Sequence, residues 1–126
     1  KLIGKCKDIT LRGSDILIYR MVYNLVENAI KYNHSGGLVT VTAYQKEKHI
    51  YLSIEDTGNG IPEELRQRVF EPFFRVDKSR SRQMGGVGLG LALVREIALL
   101  HGGSVRAEVR AEGGTAFRVV LPRQQA

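Results

Sequence analysis

The sequence has only one cysteine, Cys6, no tryptophan and three prolines among its 126 residues. A single cysteine cannot form an internal disulfide, so a hydrophobic core must hold the fold, and a chain of this length can bury one. It also fits a reducing compartment. No apolar run approaches the roughly 20 residues that cross a bilayer, and the N-terminus lacks a signal-peptide stretch. We expect a single domain, residues 1–126, cut from a longer protein.

The chain has an excess of positive charge, +6 from 19 basic and 13 acidic residues. Such an excess favours a polyanionic partner. The densest basic stretch, residues 75–82, has no aromatic side chain on which nucleic-acid bases could stack. It directly precedes a glycine-rich segment, so its position favours the phosphates of a small ligand over nucleic acid. From composition alone, a solvated basic loop is an equally good interpretation.

Hydrophobic periodicity and breaker residues predict a series of helices and hairpins. The predicted strands are residues 7–12, 38–44, 49–55, 104–110 and 116–121, and the predicted helices are residues 16–32, 62–69 and about 90–100. Because the strands come in hairpins and not in a regular βαβ alternation, we expect an α/β two-layer sandwich. Its sheet would be mixed and mostly antiparallel, covered on one face by about three helices.

The first predicted helix has an apolar stripe and a polar stripe. The apolar stripe contains Ile18, Val22, Leu25 and Ala29, and it is widened by Met21, Val26 and Ile30. The polar stripe contains Asn24, Asn28 and Lys31, flanked by Arg20 and Glu27. A solvated face accounts for most polar stripes. Asparagine is a poor helix former, however, so two of them one turn apart also raise the alternative of a ligand face. On such a face an Asn oxygen could bind Mg²⁺, and Lys31 could contact phosphate.

Asp56 follows a predicted strand in the same register as Leu52 and Ile54, so its carboxylate should point toward the apolar side. A buried carboxylate needs hydrogen-bond donors. An Asx-type turn with Thr57 and Gly58 would supply them from the backbone. Alternatively, the carboxylate could accept a hydrogen bond from a ligand's amino group, such as that of adenine. Glycines at 58 and 60 would let the backbone approach a flat ring closely.

A third feature is the segment of alternating glycines at residues 86–90, which leads into a predicted helix. Backbone N–H groups at a helix N-terminus favour anions, and glycines let phosphates approach. The segment is neither a Walker A loop, since no Gly-Lys-Ser/Thr follows, nor a convincing dinucleotide fingerprint.

Taken in order, five motifs resemble the boxes of sensor histidine kinases. The segment NLVENAIKY (24–32) resembles the N box, and DTGNGIP (56–62) resembles the first glycine box. The F box is matched by FEPFFRVD (70–77), the second glycine box by GVGLGL (86–91) and the last glycine box by GGTAF (113–117). His101-Gly-Gly-Ser is a further family feature, and the resemblance covers roughly residues 15–122. It implies the Bergerat-type ATP-binding fold shared with gyrase, MutL and the 90-kDa heat-shock chaperones.

The resemblance also implies the ligands, ATP and Mg²⁺, and a role for each matching position. Asn28 should bind Mg²⁺, with Asn24 and Lys31 at the phosphates. Tyr32 should line the nucleoside. Asp56 should accept from the adenine amine beside Gly58 and Gly60, helped by Thr115 through water. The expected phosphate contacts are Gly86, Gly88, Leu89 and Gly90.

A lid over the nucleotide is implied for residues 75–87. Arg75 resembles the arginine at the base of that lid, which reaches the γ-phosphate region. The aromatic residues of the F box, Phe70, Phe73 and Phe74, are expected to be packing anchors. Val87 departs from the family because a hydroxyl residue is common there. The segment before Ser14 is shorter than the family's first strand and connection, which would leave the sheet without an edge strand.

The expected reaction is transfer of the γ-phosphate of Mg-ATP to a histidine. None of His34, His49 and His101 has the family's phosphoacceptor pattern, so that histidine should belong to a separate dimerisation domain. The implied partners are that domain and a downstream response regulator, with no nucleic acid. By resemblance, the chain would be a cytoplasmic domain without direct membrane contact, and its parent would be anchored in the bacterial inner membrane. The alternatives are an ATP hydrolase of the same fold, an anti-sigma serine kinase and a catalytically silent nucleotide-binding module.

Overall fold

The computed structural model of the chain describes residues 2–6, 15–72, 74 and 90–122. The strands are β1 (Leu2–Cys6), β2 (Val39–Lys46), β3 (His49–Asp56), β4 (Ser104–Val109) and β5 (Thr115–Pro122). Within the described ranges the α-helices are α1 (Asp15–Lys31) and α2 (Gly90–Leu100), and short 3-10 helices span Glu63–Leu65 and Arg68–Phe70. No helix within these ranges has the length and apolar character that a membrane span requires.

The five strands form one sheet in the order β1-β2-β3-β5-β4. Strand β1 runs parallel to β2, and the other neighbouring pairs are antiparallel. Helices α1 and α2 pack against each other and against the same face of the sheet. The predicted two-layer sandwich with a mixed, mostly antiparallel sheet is therefore confirmed.

The core lies between the helix pair and this face of the sheet. Its completely buried side chains include Met21 and Leu25 of α1, Val94 of α2 and Ile54 of β3. Each such burial contributes about 1.5–3 kcal/mol relative to exposure. Ile54 is opposite Phe117 in the β3–β5 ladder, so alternate residues of both strands point into the core. This alternation also determines the direction of Asp56, two residues after Ile54.

The edge of the sheet differs from the prediction. Strand β1 pairs with β2 from Leu2 opposite Val39 to Cys6 opposite Ala43, so the expected gap beside β2 is occupied. Parallel strands are not joined by a hairpin turn, so no turn signal in the sequence indicated that β1 pairs with β2. The strand predicted at residues 7–12 lies outside the described residues.

Two further local predictions are wrong. The helix predicted for residues 62–69 is replaced by the two 3-10 helices, closed by i→i+3 bonds such as Leu65 N–H to Pro62 O at 2.9 Å. So short a helix gains few hydrogen bonds against a costly nucleus. Ile30 is 56% exposed instead of widening the buried stripe of α1. It lies 14 residues, close to four turns, after the exposed Ile16 and so shares its outward face.

Candidate functional site

The predicted polar stripe of α1 is a half-buried face that contains Asn24, Asn28 and Lys31. The ammonium group of Lys31 lies 3.0 Å from the carboxylate of Glu27. The bond from Lys31, and a second one from Tyr23, hold the pKa of Glu27 below its ordinary value. The face therefore combines amide oxygens with a cation that is already paired with an acid.

One end of this face is next to the start of α2. A Cβ atom added to Gly90 would lie 3.9 Å from Asn24 Cγ and 4.0 Å from its Oδ1, which is ordinary van der Waals contact. The last glycine of the second glycine box thus lies beside the first residue of the N box, 66 positions earlier in the chain. The other predicted residues of this region, Arg75, Phe73, Gly86, Gly88, Leu89 and the lid at 75–87, lie outside the described residues.

The other end of the face is next to Gly58. A Cβ atom added there would lie 2.7 Å from the Tyr32 carbonyl oxygen and 3.1 Å from Asp56 Oδ1, so any larger residue would displace one of them. Gly58 therefore lies against the backbone that directly follows α1, which brings the first glycine box against the end of the N box. The approach of a flat ring to Gly58 stays a prediction.

A hydrogen-bond network that sequence reasoning missed fastens this end of the site. The amide of Asn33 donates to Leu38 O at 2.9 Å, and its Oδ1 accepts from the Thr57 hydroxyl at 3.3 Å. Thr57 Oγ1 in turn accepts from Leu38 N–H at 2.9 Å. The composition of segment 33–37, Asn-His-Ser-Gly-Gly, indicates only a break after the first helix. The tendency of asparagine to bond nearby backbone was the available signal.

Asp56 is 6% exposed and lies on the helix-covered face of the sheet, as its register predicted. Its Oδ1 accepts from Gly58 N–H at 2.9 Å and from Thr115 N–H at 3.2 Å. The Asx-type turn considered above is therefore present. Burial raises the pKa of the Asp56 carboxyl above its ordinary value, and the two N–H donors and nearby Arg110 offset only part of that effect.

The last glycine box forms a tight turn against Asp56. Gly114 has φ +95°, and a Cβ atom there would collide with the Asp56 carbonyl oxygen. Gly60 has φ +79° and would place a Cβ 3.5 Å from Gly114 O. Thr115, 4% exposed, follows in β5. The first and last glycine boxes therefore meet around Asp56.

Arg110 is a second residue that sequence reasoning missed. Its guanidinium donates to Asp56 O at 3.2 Å and Gly113 O at 3.0 Å. It also binds Glu112 at 2.9 Å, and its side chain is 19% exposed. In the sequence it is one of 19 basic residues and stands apart from every box, so no pattern singled it out.

Two aromatic residues of the F box, Phe70 and Phe74, have packing partners among the described residues, whereas the lid that they are predicted to anchor lies outside those residues. Phe70 is 6% exposed and meets Phe117 edge to face, with ring centroids 6.0 Å apart. The guanidinium of Arg68 lies 4.6 Å from the centroid of the Phe74 ring. Phe70 thereby joins the segment that precedes residues 75–87 to the core of the sheet.

Comparisons with known proteins agree with this arrangement. Residues 13–125 match the family described as histidine kinase-, DNA gyrase B- and HSP90-like ATPase. The chain is 40% identical over 110 residues to the sensor histidine kinase RppB of Synechocystis, which covers 87% of this chain and 24% of RppB. The chain thus spans about a quarter of that relative's length.

Solved structures give the same result. The mycobacterial sensor histidine kinase MprB superposes with a TM-score of 0.82 at 35% identity, covering 99% of this chain and 84% of that one. Full-length ShkA in complex with AMPPNP superposes with a TM-score of 0.83 at 26% identity, covering all of this chain and 26% of ShkA. On its sequence, its fold and the meeting of its motifs, the chain belongs to the histidine kinase-, DNA gyrase B- and HSP90-like ATPase family, with sensor histidine kinases among its relatives.

Proposed function

We propose that this chain binds Mg-ATP and transfers the γ-phosphate to a histidine on a separate dimerisation domain of a two-component sensor kinase. The observation that carries the proposal is the position of the polar face of α1. It lies between Gly90 at one end and the turn at Asp56 and Gly58 at the other. An elongated ligand with a base at one end and phosphates at the other matches these two ends.

Asp56 would recognise the base. Both of its backbone hydrogen bonds go to Oδ1, and Oδ2 accepts none from the described residues. An acceptor oxygen on a fixed carboxylate suits the exocyclic amine of adenine. Thr115, held to Asp56 through its N–H, would contribute through water, and Tyr32 and the glycines at 58 and 60 would line the same end.

Asn28, Asn24 and Lys31 would bind the phosphate end. Amide oxygens on a half-buried face suit Mg²⁺, which prefers oxygen ligands and retains waters and substrate phosphates. Bound there, the metal would neutralise charge on the phosphates. Lys31 would add a point charge. The backbone of Gly86, Gly88, Leu89 and Gly90 would cradle the phosphates, with Arg75 and a lid at residues 75–87 closing the site.

Transfer to an acceptor is favoured over hydrolysis because the described face offers no good base for water. Asn24 cannot take a proton at neutral pH. Glu27 is engaged by Lys31 and Tyr23, which lower its pKa and make it a weaker base. In the proposed transfer the bond between the γ-phosphorus and ADP breaks as a bond to the histidine nitrogen forms. Positioning and charge neutralisation supply most of the catalysis.

The same fold supports other outcomes: an ATP hydrolase, an anti-sigma serine kinase or a silent nucleotide module. For the kinase, the partners would be the dimerisation domain and a response regulator, and nucleic acid would not be one. The domain would work in the cytoplasm, without touching the membrane, on a parent anchored in the bacterial inner membrane.

The test uses radiolabelled ATP with the chain alone and with a separately made dimerisation domain. We expect very slow phosphate release alone and an acid-labile phosphoprotein with that domain. Rapid phosphate release by the chain alone would favour the hydrolase. Labelling of a serine instead of the histidine would favour the serine kinase. No ATP binding at all would reject the proposal, and binding without labelling would leave the silent module.

Variants locate the phosphate end. Asn28→Ala should weaken Mg-dependent ATP binding in calorimetry, and Arg75→Ala should sharply reduce labelling. Gln45→Ala is the matched control because Gln45 is exposed and pairs with Ile50, at the opposite end of β2 from Val39 and Asp56. Unchanged Mg-ATP affinity in Asn28→Ala would contradict the metal assignment.

A further inference from the structure

Arg110 joins two parts of the site that the sheet leaves unjoined. The β3–β5 ladder ends at Glu55 opposite Ala116, one position before Asp56 and Thr115. Beyond that point the sheet no longer holds the end of β3 to the start of β5. The contact between Asp56 Oδ1 and Thr115 N–H, at 3.2 Å, is a single hydrogen bond that involves a side chain and not the backbone ladder.

The guanidinium of Arg110 bridges this gap with one nitrogen. Its Nη1 lies 3.2 Å from Asp56 O, on β3, and 3.0 Å from Gly113 O, in the β4–β5 turn. The turn is closed at its base by Arg110 N–H to Gly114 O at 3.1 Å. Arg110 therefore binds the backbone on both sides of the position where the Asp56 carboxylate meets Thr115.

The acids around Arg110 fix its orientation. Its Nη2 lies 2.9 Å from a carboxylate oxygen of Glu112, and its Nε lies 3.9 Å from one of Glu55. Because the guanidinium is a planar fork with five donors, holding two of its nitrogens fixes the direction of the third. A lysine could occupy the same space but could not bind both carbonyls and both acids in one plane.

We propose that Arg110 is a positioning residue for base recognition, which clamps the β4–β5 turn onto the end of β3 and thereby aims the Asp56 carboxylate at the adenine amine. This inference rests on the proposed function, in which Asp56 recognises adenine. Arg110 does not touch the nucleotide. Its positive charge also partly offsets the effect of burial on the pKa of Asp56.

The experiment compares ATP with inosine triphosphate, which carries an oxygen in place of the exocyclic amine. The parent chain should prefer ATP about tenfold or more, and Asp56→Asn should lose that preference. Arg110→Ala should lower the ATP preference about fivefold or more and leave affinity for inosine triphosphate nearly unchanged. Arg106→Ala is the matched control because it removes another arginine, one of β4 that is 66% exposed and paired with Glu108, and it should preserve the preference.

The outcomes separate the two proposals. A parent chain without preference for ATP would reject base recognition by Asp56, and the role of Arg110 with it. If the parent prefers ATP through Asp56 and Arg110→Ala keeps that preference, only the role of Arg110 is rejected. The variant that combines Asp56→Asn with Arg110→Ala should show the same preference for ATP over inosine triphosphate as Asp56→Asn alone. If the two losses of preference add instead, Arg110 acts independently of Asp56.

A second measurement needs no nucleotide, and it tests the proposal even if the Arg110→Ala variant fails to fold. Arg110→Lys keeps the charge and loses the fork. The Thr115 amide should exchange its hydrogen several times faster in this variant than in the parent, while amides in the middle of the β3–β5 ladder stay protected. Unchanged exchange at Thr115 would overturn the clamp.

Discussion

The ammonium group of Lys31 lies 3.0 Å from the carboxylate of Glu27, one turn earlier on α1. The same carboxylate accepts a hydrogen bond from Tyr23, one further turn back. The proposed phosphate-binding cation is thus already paired with an acid on its own helix. Incoming phosphate must compete with Glu27 for Lys31, and Glu27 also repels that phosphate.

Replacing Glu27 with Gln should therefore raise ATP affinity. Both side chains are about a third exposed, so solvent screens the pair and the rise should be modest, about two- to fivefold. Calorimetry at low and high salt measures it, and the gain should shrink as salt rises. Glu64→Gln, an exposed acid of the first 3-10 helix, should change little. A fall in affinity would mean that Glu27 positions Lys31 instead of competing for it.

Replacing Asp56 with Asn should leave the fold intact and reduce ATP affinity roughly tenfold or more. The new amide can keep an oxygen acceptor for Gly58 and Thr115, but it places a donor where the adenine amine would donate. Calorimetry gives the affinity, and circular dichroism checks the fold. Unchanged affinity in a folded variant would exclude a role for this carboxylate in adenine binding.

The raised pKa of Asp56 fixes the sign of its effect on stability. Burial holds the folded-state pKa above the unfolded one, so the folded state binds the proton more tightly. The stability contribution is complete at pH values below the ordinary pKa and is lost as pH rises through the raised one. Asp56→Asn, which cannot ionise, should thus be no less stable than the parent at pH 7 in urea denaturation. A clear loss of stability there would contradict this assignment.

Gly114 and Gly113 offer a matched pair of substitutions. Both have positive φ, +95° and +101°, so alanine strains the backbone at each, by about 1–2 kcal/mol. At Gly113 the new Cβ meets nothing within 4 Å, whereas at Gly114 it collides with the carbonyl of Asp56. Gly114→Ala should be the more destabilising by at least about 1–2 kcal/mol. Equal free energies of unfolding would show that the turn can move away from Asp56.

Glu108 on the open face of the sheet should support stability in a pH-dependent way. A hydrogen bond from Arg118 at 2.6 Å, with Arg106 also nearby, holds the pKa of Glu108 below its ordinary value. The contribution is therefore present above the ordinary pKa and is lost as pH falls through the lowered one. Since both partners are over a third exposed, Glu108→Gln should cost less than about 1 kcal/mol at pH 7.

Urea denaturation from pH 7 down to about pH 3 measures the difference in free energy of unfolding between the parent and Glu108→Gln. The parent and Glu108→Gln should converge at the acid end, where the carboxylate of the parent is protonated. Glu96→Gln, exposed on α2, serves as the control and should show no such convergence. A constant difference at every pH would assign the loss to packing instead of charge.

Much of the architecture could be predicted because it depends on neighbours in the chain. The 3.6-residue period locates α1 almost to the residue, and the two-residue alternation places Asp56 on the buried face with Ile54. A hairpin can be predicted from the turn residues between its two strands. The boxes could likewise be recognised because each is a short, continuous segment with its own composition.

The rest depends on contacts between distant segments, which no local pattern records. The pattern of residues was enough to predict that Asp56 is buried and that Asn24, Asn28 and Lys31 share a face. That β1 pairs with β2 at the edge of the sheet, and that Arg110 binds Asp56 from 54 positions away, became visible only in the folded chain. The reason is physical: periodicity fixes the direction of a side chain on its own helix or strand, whereas the packing of the whole sheet decides which distant group it meets.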